Sequence, residues 1–202
     1  MIKLALRTTL VASLLALGSA ASADEKLIQE CMDCHGKDGV STESDVPEIA
    51  GFSAYYMSDA LGAYADGDRP AVKSKFRFGD TSRPETDMVT ISKNLSEDQI
   101  KEVGKFFAGK KFAPRKQPFD AAKAAEGEKL HEHHCKKCHS AGGTDPTDDA
   151  GILAGQWTHY IEHAFKTMRS GKRAMDKKMK PKIEELSDAE IEALVQYYAS
   201  QQ

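Results

Sequence analysis

All four cysteines of this chain lie in two copies of one short pattern, in which two cysteines separated by two residues are followed at once by a histidine. In such a pattern the thiols bond to the vinyl groups of a porphyrin and the histidine binds its iron. A redox pair or another metal site is disfavoured because the histidine is present in both copies. The sequence therefore predicts two covalently bound haem c groups, held by Cys31, Cys34 and His35 in one copy and by Cys135, Cys138 and His139 in the other.

Comparison of the chain with itself reveals an internal repeat. A shift of 104 residues, the distance from Cys31 to Cys135, aligns both motifs and several later positions, among them Arg69 with Arg173. Beyond Arg69 a shift of 91 residues restores the agreement and aligns Met88 with Met179. The difference between the two shifts predicts that the first half carries 13 additional residues, an insertion within about 70–87.

The repeat predicts two homologous domains, 24–109 and 119–202, joined by a connector at 110–118. Its proline and clustered charge favour an extended, solvated segment. Apolar residues recur at helical spacing in both halves, capping-box patterns begin the last helix of each at Ser96 and Ser187, and we see no convincing strand. We expect an all-α fold. Each domain is small enough that its haem would serve as part of the hydrophobic core.

Residues 1–23 have the features of an export signal. Lys3 and Arg7 precede a short apolar run, and a small-x-small cleavage pattern ends at Ala23. The run is too short to span a bilayer, so we expect cleavage near Ala23 and a periplasmic protein without a membrane span, an uncleaved anchor being the alternative. The mature chain, with 26 basic and 31 acidic residues, is mildly acidic, which argues against nucleic acid and anionic membranes as partners.

The sixth ligand of each iron decides what the haems can do. A methionine sulfur raises the reduction potential and, by filling the coordination sphere, favours electron transfer over catalysis. Met88 and Met179 occupy equivalent positions, seven residues before the Leu-Ser that opens the last helix, and are the predicted axial ligands. Met175 is the rival of Met179, and a bis-histidine second haem would instead use His159 or His163.

Several other residues have an ordinary structural interpretation. His131, His133 and His134 precede the second motif without a counterpart in the first half, so we expect solvated helix residues rather than ligands. Arg69 and Arg173 could each pair with a haem propionate or form a surface ion pair. Trp157 and Tyr160 are expected in the core or the wall of the haem pocket.

Longer stretches of the second half support a resemblance to a known family. They are KLHEHHCKKCH at 129–139, ILAGQW at 152–157, KRAMDKKM at 172–179 and YYASQQ at 197–202, together with KQPFD at 116–120 between the halves. With these stretches the chain resembles the diheme cytochrome c subunit of flavocytochrome c sulfide dehydrogenase. That subunit consists of two fused class I cytochrome c domains, an arrangement also found in periplasmic diheme electron carriers. The insertion before Met88 departs from the family pattern.

The resemblance implies His/Met ligation of both irons, by His35 with Met88 and by His139 with Met179. It also implies a heterodimer in which an FAD-containing flavoprotein subunit oxidises sulfide. This chain, without catalytic residues of its own, would take electrons from the flavin and pass them to a soluble acceptor such as another cytochrome c. The alternatives are a free-standing shuttle to a terminal oxidase and a haem enzyme, such as a peroxidase or a thiosulfate-oxidising cytochrome, which needs an open or unusually ligated iron.

Overall fold

The computed structural model describes residues 22–202. This part of the chain contains eight α-helices, four in each half. The first half contains α1 (Ser22–His35), α2 (Ala54–Asp66), α3 (Met88–Lys93) and α4 (Glu97–Ala108). The second half contains α5 (Ala121–Leu130), α6 (Thr158–Arg169), α7 (Met179–Glu185) and α8 (Asp188–Ser200). The only β-type pairing within 22–202 is an isolated bridge between Ser74 and Thr86. The expected all-α fold is confirmed.

The predicted leader falls almost wholly outside the described residues, which begin at Ser22. Its cleavage near Ala23 therefore stays a prediction. Between Ser22 and Gln202, no helix is both long enough and apolar enough to cross a membrane.

Local signals begin the helices where the sequence indicates. Ser96 and Ser187 each form a complete capping box, in which the serine oxygen accepts the N–H of the third helical residue and that residue's side chain accepts the serine N–H. Asp120 caps α5 and Ser53 caps α2 in the simpler way. Both predicted capping boxes are confirmed.

The backbone repeats between the halves as the sequence does. Gly39 and Gly143 both adopt positive φ, and the carbonyl of each accepts two N–H groups from the segment ten residues further on. Gly51 and Gly155 share a φ of 75°, and their N–H groups donate to the carbonyls of Phe107 and Tyr198 in the last helices. The same loop geometry therefore connects motif and helices in both halves.

Each half has its own hydrophobic cluster. In the first half, α2 packs against α4 and buries Leu61, Val103 and Phe107 together with residues of α1. In the second, α5 and α6 pack against α8 around a fully buried Leu194. Ile152 crosses this division, because it belongs to the second half but is buried in the cluster of the first.

The two halves meet through contacts whose residues correspond to one another in the internal repeat. The side-chain amide of Gln156 bonds the backbone of Glu48 twice, accepting its N–H and donating to its carbonyl, both at 2.9 Å. Applying the 104-residue shift to this pair gives Ile152 and Phe52, which both lie in the first hydrophobic cluster. The polar and the apolar pair thus occupy equivalent places on either side of the interface.

The connector between the halves is held by both of them. Arg115 donates a hydrogen bond to each half: its backbone N–H donates to the carbonyl of Gly155, and its guanidinium donates to the carbonyl of Ser41. The same guanidinium lies 3.8 Å from the buried carboxylate of Glu48. We expected an extended, solvated segment, but Arg115 is largely buried because it bridges the two domains.

Candidate haem sites

A backbone carbonyl fixes the histidine of each motif. Nδ1 of His35 lies 2.9 Å from the carbonyl oxygen of Pro47, and Nδ1 of His139 lies 3.1 Å from that of Gly151, twelve residues along the chain in both cases. Because a carbonyl oxygen only accepts, Nδ1 must carry the hydrogen and Nε2 keeps its lone pair. This is the tautomer that a metal-binding histidine needs, and its second nitrogen is oriented by the bond.

The charge state of both histidines also suits an iron ligand. Burial lowers the pKa of His35 and of His139 below the usual value, because the charged imidazolium loses its hydration, and the carbonyl bond opposes this only in part. Both rings are therefore neutral near pH 7 and can donate Nε2 to a metal.

The cysteines stand at the ends of helices, beside these histidines. Cys31 and Cys34 lie in the last turn of α1, whereas Cys135 ends a π-helical turn, His131–Cys135, that follows α5. All four sulfurs are free of disulfides. Burial raises the pKa of Cys31 to about 12 and also raises the pKa of Cys34 and Cys135, so these groups are not reactive thiolates. Their role in attaching haem stays a prediction, and their position beside the motif histidines is consistent with it.

The predicted axial methionines share one structural position. Met88 is the first residue of α3 and Met179 the first of α7, and each is half-buried against the hydrophobic cluster of its own half. Met175 is also half-buried against the second cluster, so burial does not separate it from Met179. Only the equivalence with Met88 favours Met179, and both axial assignments stay predictions.

Two buried polar groups test whether a haem fits these surroundings. Arg69 is 7% exposed, donates to the hydroxyl of Tyr160 and stacks on the ring of Tyr64, but has no carboxylate within ion-pair distance among residues 22–202. Nε1 of Trp157 is buried and has no hydrogen-bond partner within that range. A haem propionate offers both the missing negative charge and an acceptor oxygen. The residues present therefore fit the group, and the surface ion pair considered for Arg69 is wrong.

The pKa of Tyr160 reflects the positive charge of the two arginines near it. Burial raises the pKa of a phenol, but the guanidinium groups of Arg69 and Arg173 act in the opposite direction and the pKa of Tyr160 falls below its usual value. Tyr160 thus joins the two repeated arginines across the interface between the halves. Sequence reasoning missed this arrangement, although the repeat aligned the two arginines.

The histidines outside the motifs lie in different environments. His131 is completely buried, with Nδ1 3.1 Å from the hydroxyl of Tyr198 and Nε2 unpartnered among the described residues, so the expectation of a solvated residue is wrong. The π-helical turn that starts at His131 turns its ring inward, beneath the motif. His159 is exposed on α6, and His163 lines a cleft of about 270 Å³ together with Pro70 and Lys172.

The two halves match different family models. Residues 21–109 match the model described as "Cytochrome c", and residues 122–197 match "Cytochrome C oxidase, cbb3-type, subunit III". These ranges resemble the predicted domain boundaries, which themselves stay predictions. Each match contains one complete Cys-x-x-Cys-His motif.

Three similar proteins align with most of the chain, across both halves. A "Thiosulfate dehydrogenase electron acceptor" of Thiomonas intermedia is 28% identical over 183 residues, covering 85% of this chain and 78% of that protein. A "Cytochrome c4" of Pseudomonas aeruginosa is 27% identical and covers 90% and 88%. The crystal structure of reduced recombinant cytochrome c4 from Pseudomonas stutzeri superposes with a TM-score of 0.70 at 25% identity, over 90% of this chain and 98% of that one.

Proposed function

Because the chain is a diheme class I cytochrome c related to cytochrome c4 and to a thiosulfate dehydrogenase electron acceptor, we propose that it carries electrons from a sulfur-oxidising dehydrogenase to a soluble acceptor. In this proposal the protein is exported and its leader is removed near Ala23. It performs no substrate chemistry of its own.

The observation that carries the proposal is the repeated environment of His35 and His139. His35 is buried and His139 is half-buried, each ring is neutral and held through Nδ1 by a carbonyl, and each half offers a methionine at the start of a short helix. When bound, haem supplies one-electron chemistry. The chain contributes the thiols of the motifs, the histidine nitrogen and the methionine sulfur. If both methionines ligate, no open iron position remains for a substrate, which supports a carrier rather than a haem enzyme.

We propose an FAD-containing sulfide dehydrogenase subunit as the first candidate donor. The stretches at 129–139, 152–157 and 172–179, which resemble the cytochrome subunit of flavocytochrome c, support it. A thiosulfate dehydrogenase is the second candidate, because one relative of similar length has the name of an electron acceptor for such an enzyme. A free-standing shuttle remains the contrasting assignment.

Purification from native cells under mild conditions tests the proposal. We expect the diheme chain to be reduced rapidly when sulfide or thiosulfate is added to a fraction that contains its dehydrogenase, and slowly by either compound alone. A yellow FAD-containing protein that co-purifies would support the first donor, and reduction only by a thiosulfate dehydrogenase would support the second. A chain that is reduced by neither enzyme would contradict the proposal.

A further inference from the structure

The two Cys-x-x-Cys-His motifs differ sharply in how much protein covers them. In the first motif Asp33 and His35 are buried and the other three residues are half-buried. In the second, Lys136, Lys137 and Cys138 are all exposed. The repeat aligns Asp33 with Lys137, so equivalent positions differ in both charge and exposure.

The loop at 70–87, where the first half carries its additional residues, causes this difference. The isolated bridge between Ser74 and Thr86 closes the loop, and the N–H groups of Arg77 and Phe78 both donate to the carbonyl of Asp33, at 2.8 and 2.9 Å. The loop thus lies across the first motif. Only five residues separate Arg173 from Met179 in the second half, so no comparable loop exists there.

Side chains lock the loop onto the same aspartate. The guanidinium of Arg83 pairs with the carboxylate of Asp33 and stacks on the buried ring of Phe76, 3.6 Å from its centroid. At Gly79, where φ is 64°, a Cβ atom would stand only 2.8 Å from either carboxylate oxygen of Asp33. The cover is therefore closely packed and not a loose surface loop.

Charge distinguishes the two surfaces as well. On the first half, Arg77 is paired with Glu43 and Asp45, and Arg83 with Asp33 and Glu30, so both arginines of the loop are neutralised. The exposed Lys73 and Lys75 of the loop have no ion-pair partner among the described residues. On the second half, Lys136 pairs with the exposed Glu132, whereas Lys137 has no ion-pair partner between residues 22 and 202. The exposed motif therefore presents a net positive charge to solvent.

We propose that the surface formed by Lys136, Lys137 and Cys138 is the port at which the chain exchanges electrons with an acidic protein partner, and that the 70–87 loop closes the equivalent surface of the first half. This inference rests on the proposed function and names its docking surface. With haem held by Cys135, Cys138 and His139, one electron would pass from the reduced partner, which would be oxidised, to the ferric iron of the second half, which would be reduced. No bond forms or breaks.

Accessibility and charge both favour this surface as the place where a partner docks. The second motif can be approached without moving any protein, whereas the packed loop covers much of the first motif. Complementary charge on the partner would accelerate encounter and make it sensitive to ionic strength. The exposed Val72 and Phe78 make the loop itself the competing docking surface.

The experiment uses the diheme protein and a redox-inert anionic probe, hexacyanochromate(III), whose paramagnetism broadens the NMR signals of nearby residues. We expect broadening around 136–139 and none around 73–78. The double variant K136E/K137E should abolish it, and the matched control K73E/K75E, which reverses two exposed lysines on the loop, should leave it unchanged. Broadening centred on the loop, or lost in the control but not in K136E/K137E, would overturn the proposal.

A kinetic measurement completes the test. Oxidation of the reduced protein by ferricyanide should slow at least about threefold in K136E/K137E at low ionic strength. The cationic tris(phenanthroline)cobalt(III) should oxidise this variant faster than it oxidises the unaltered protein. Equal rates in all variants would also contradict the proposal. Because neither probe is a dehydrogenase, failure here would leave the proposed function standing, and failure with the dehydrogenase would leave the port standing.

Discussion

The chemistry of each candidate haem site depends on one carbonyl oxygen. Pro47 and Gly151 are different residue types, yet their backbone carbonyls hold the two histidines in the same tautomer. A backbone carbonyl can belong to any residue type, so the sequence does not mark which residue holds the histidine. The shared separation of twelve residues between histidine and acceptor was recognised only in the folded structure. The motif cysteines and histidines could be identified from sequence because their spacing is imposed by the porphyrin.

The ligand of the second iron can be decided by paired substitutions. Replacement of Met179 by alanine should remove about half of the far-red absorption band that ferric His/Met haem shows, and should lower the potential of one haem, because a thioether favours the ferrous state. The same replacement at Met175 should change neither. Loss of the band in the Met175 variant alone would assign that residue as the ligand instead.

Glu48 should make stability depend on pH. It is completely buried, and burial is the main reason that its pKa is raised from 4.5 to about 7, while Arg115 and two backbone N–H groups oppose the shift. The folded protein therefore binds this proton more tightly than the unfolded chain. The resulting stability is present below about pH 4.5 and is lost as the pH rises through about 7.

Urea unfolding followed by circular dichroism measures this effect. Across that pH range the loss attributable to Glu48 should approach about 3 kcal/mol at most, and Glu48→Gln, whose side chain stays neutral, should remove most of it. Glu162→Gln, an exposed residue of α6, serves as the control. An unchanged pH dependence in Glu48→Gln would show that the carboxyl is solvated or ionised throughout.

At the scale of elements, the sequence predicted helices that local signals define. The capping boxes at Ser96 and Ser187 set the starts of α4 and α8 because capping depends on residues within one turn. The short helices α3 and α7 were missed, since six or seven residues carry too little periodicity to recognise. The π-helical turn was missed as well, because it depends on burying His131 against Tyr198, which lies far along the chain.

The loop at 70–87 should loosen when its ion pair is broken. Asp33→Asn leaves Arg83 without its nearly buried partner, so we expect hydrogen exchange of the Arg77 and Phe78 amides to accelerate at least about tenfold. Asp98→Asn, which breaks an exposed pair with Lys101, should not change these rates. Protection that survives in Asp33→Asn would mean that the backbone bonds hold the loop without the carboxylate.

For the whole molecule, the interface was beyond sequence reasoning. Glu48 and Gln156 contact each other across 108 residues, and the internal repeat conceals the pair because their counterparts are Ile152 and Phe52. The repeat showed that two domains exist, but not which of their faces meet.

Removing this contact should uncouple the domains. Gln156→Leu would leave the buried backbone N–H and carbonyl of Glu48 without partners, at a cost of about 1–3 kcal/mol for each group. We expect calorimetry to show two separated unfolding transitions in place of a single one or a closely overlapping pair. Gln196→Leu, which removes one exposed bond within the second half, is the control and should preserve the original profile.

The correspondence between the contacts of the two halves also bears on the origin of the chain. In a symmetric homodimer every contact occurs twice, and here the pairs Glu48 with Gln156 and Ile152 with Phe52 stand where such duplicate contacts would stand. This is the arrangement expected if a self-associating single-domain protein were duplicated and fused. Once both copies shared one gene, each side of the interface was free to diverge, one becoming polar and the other apolar.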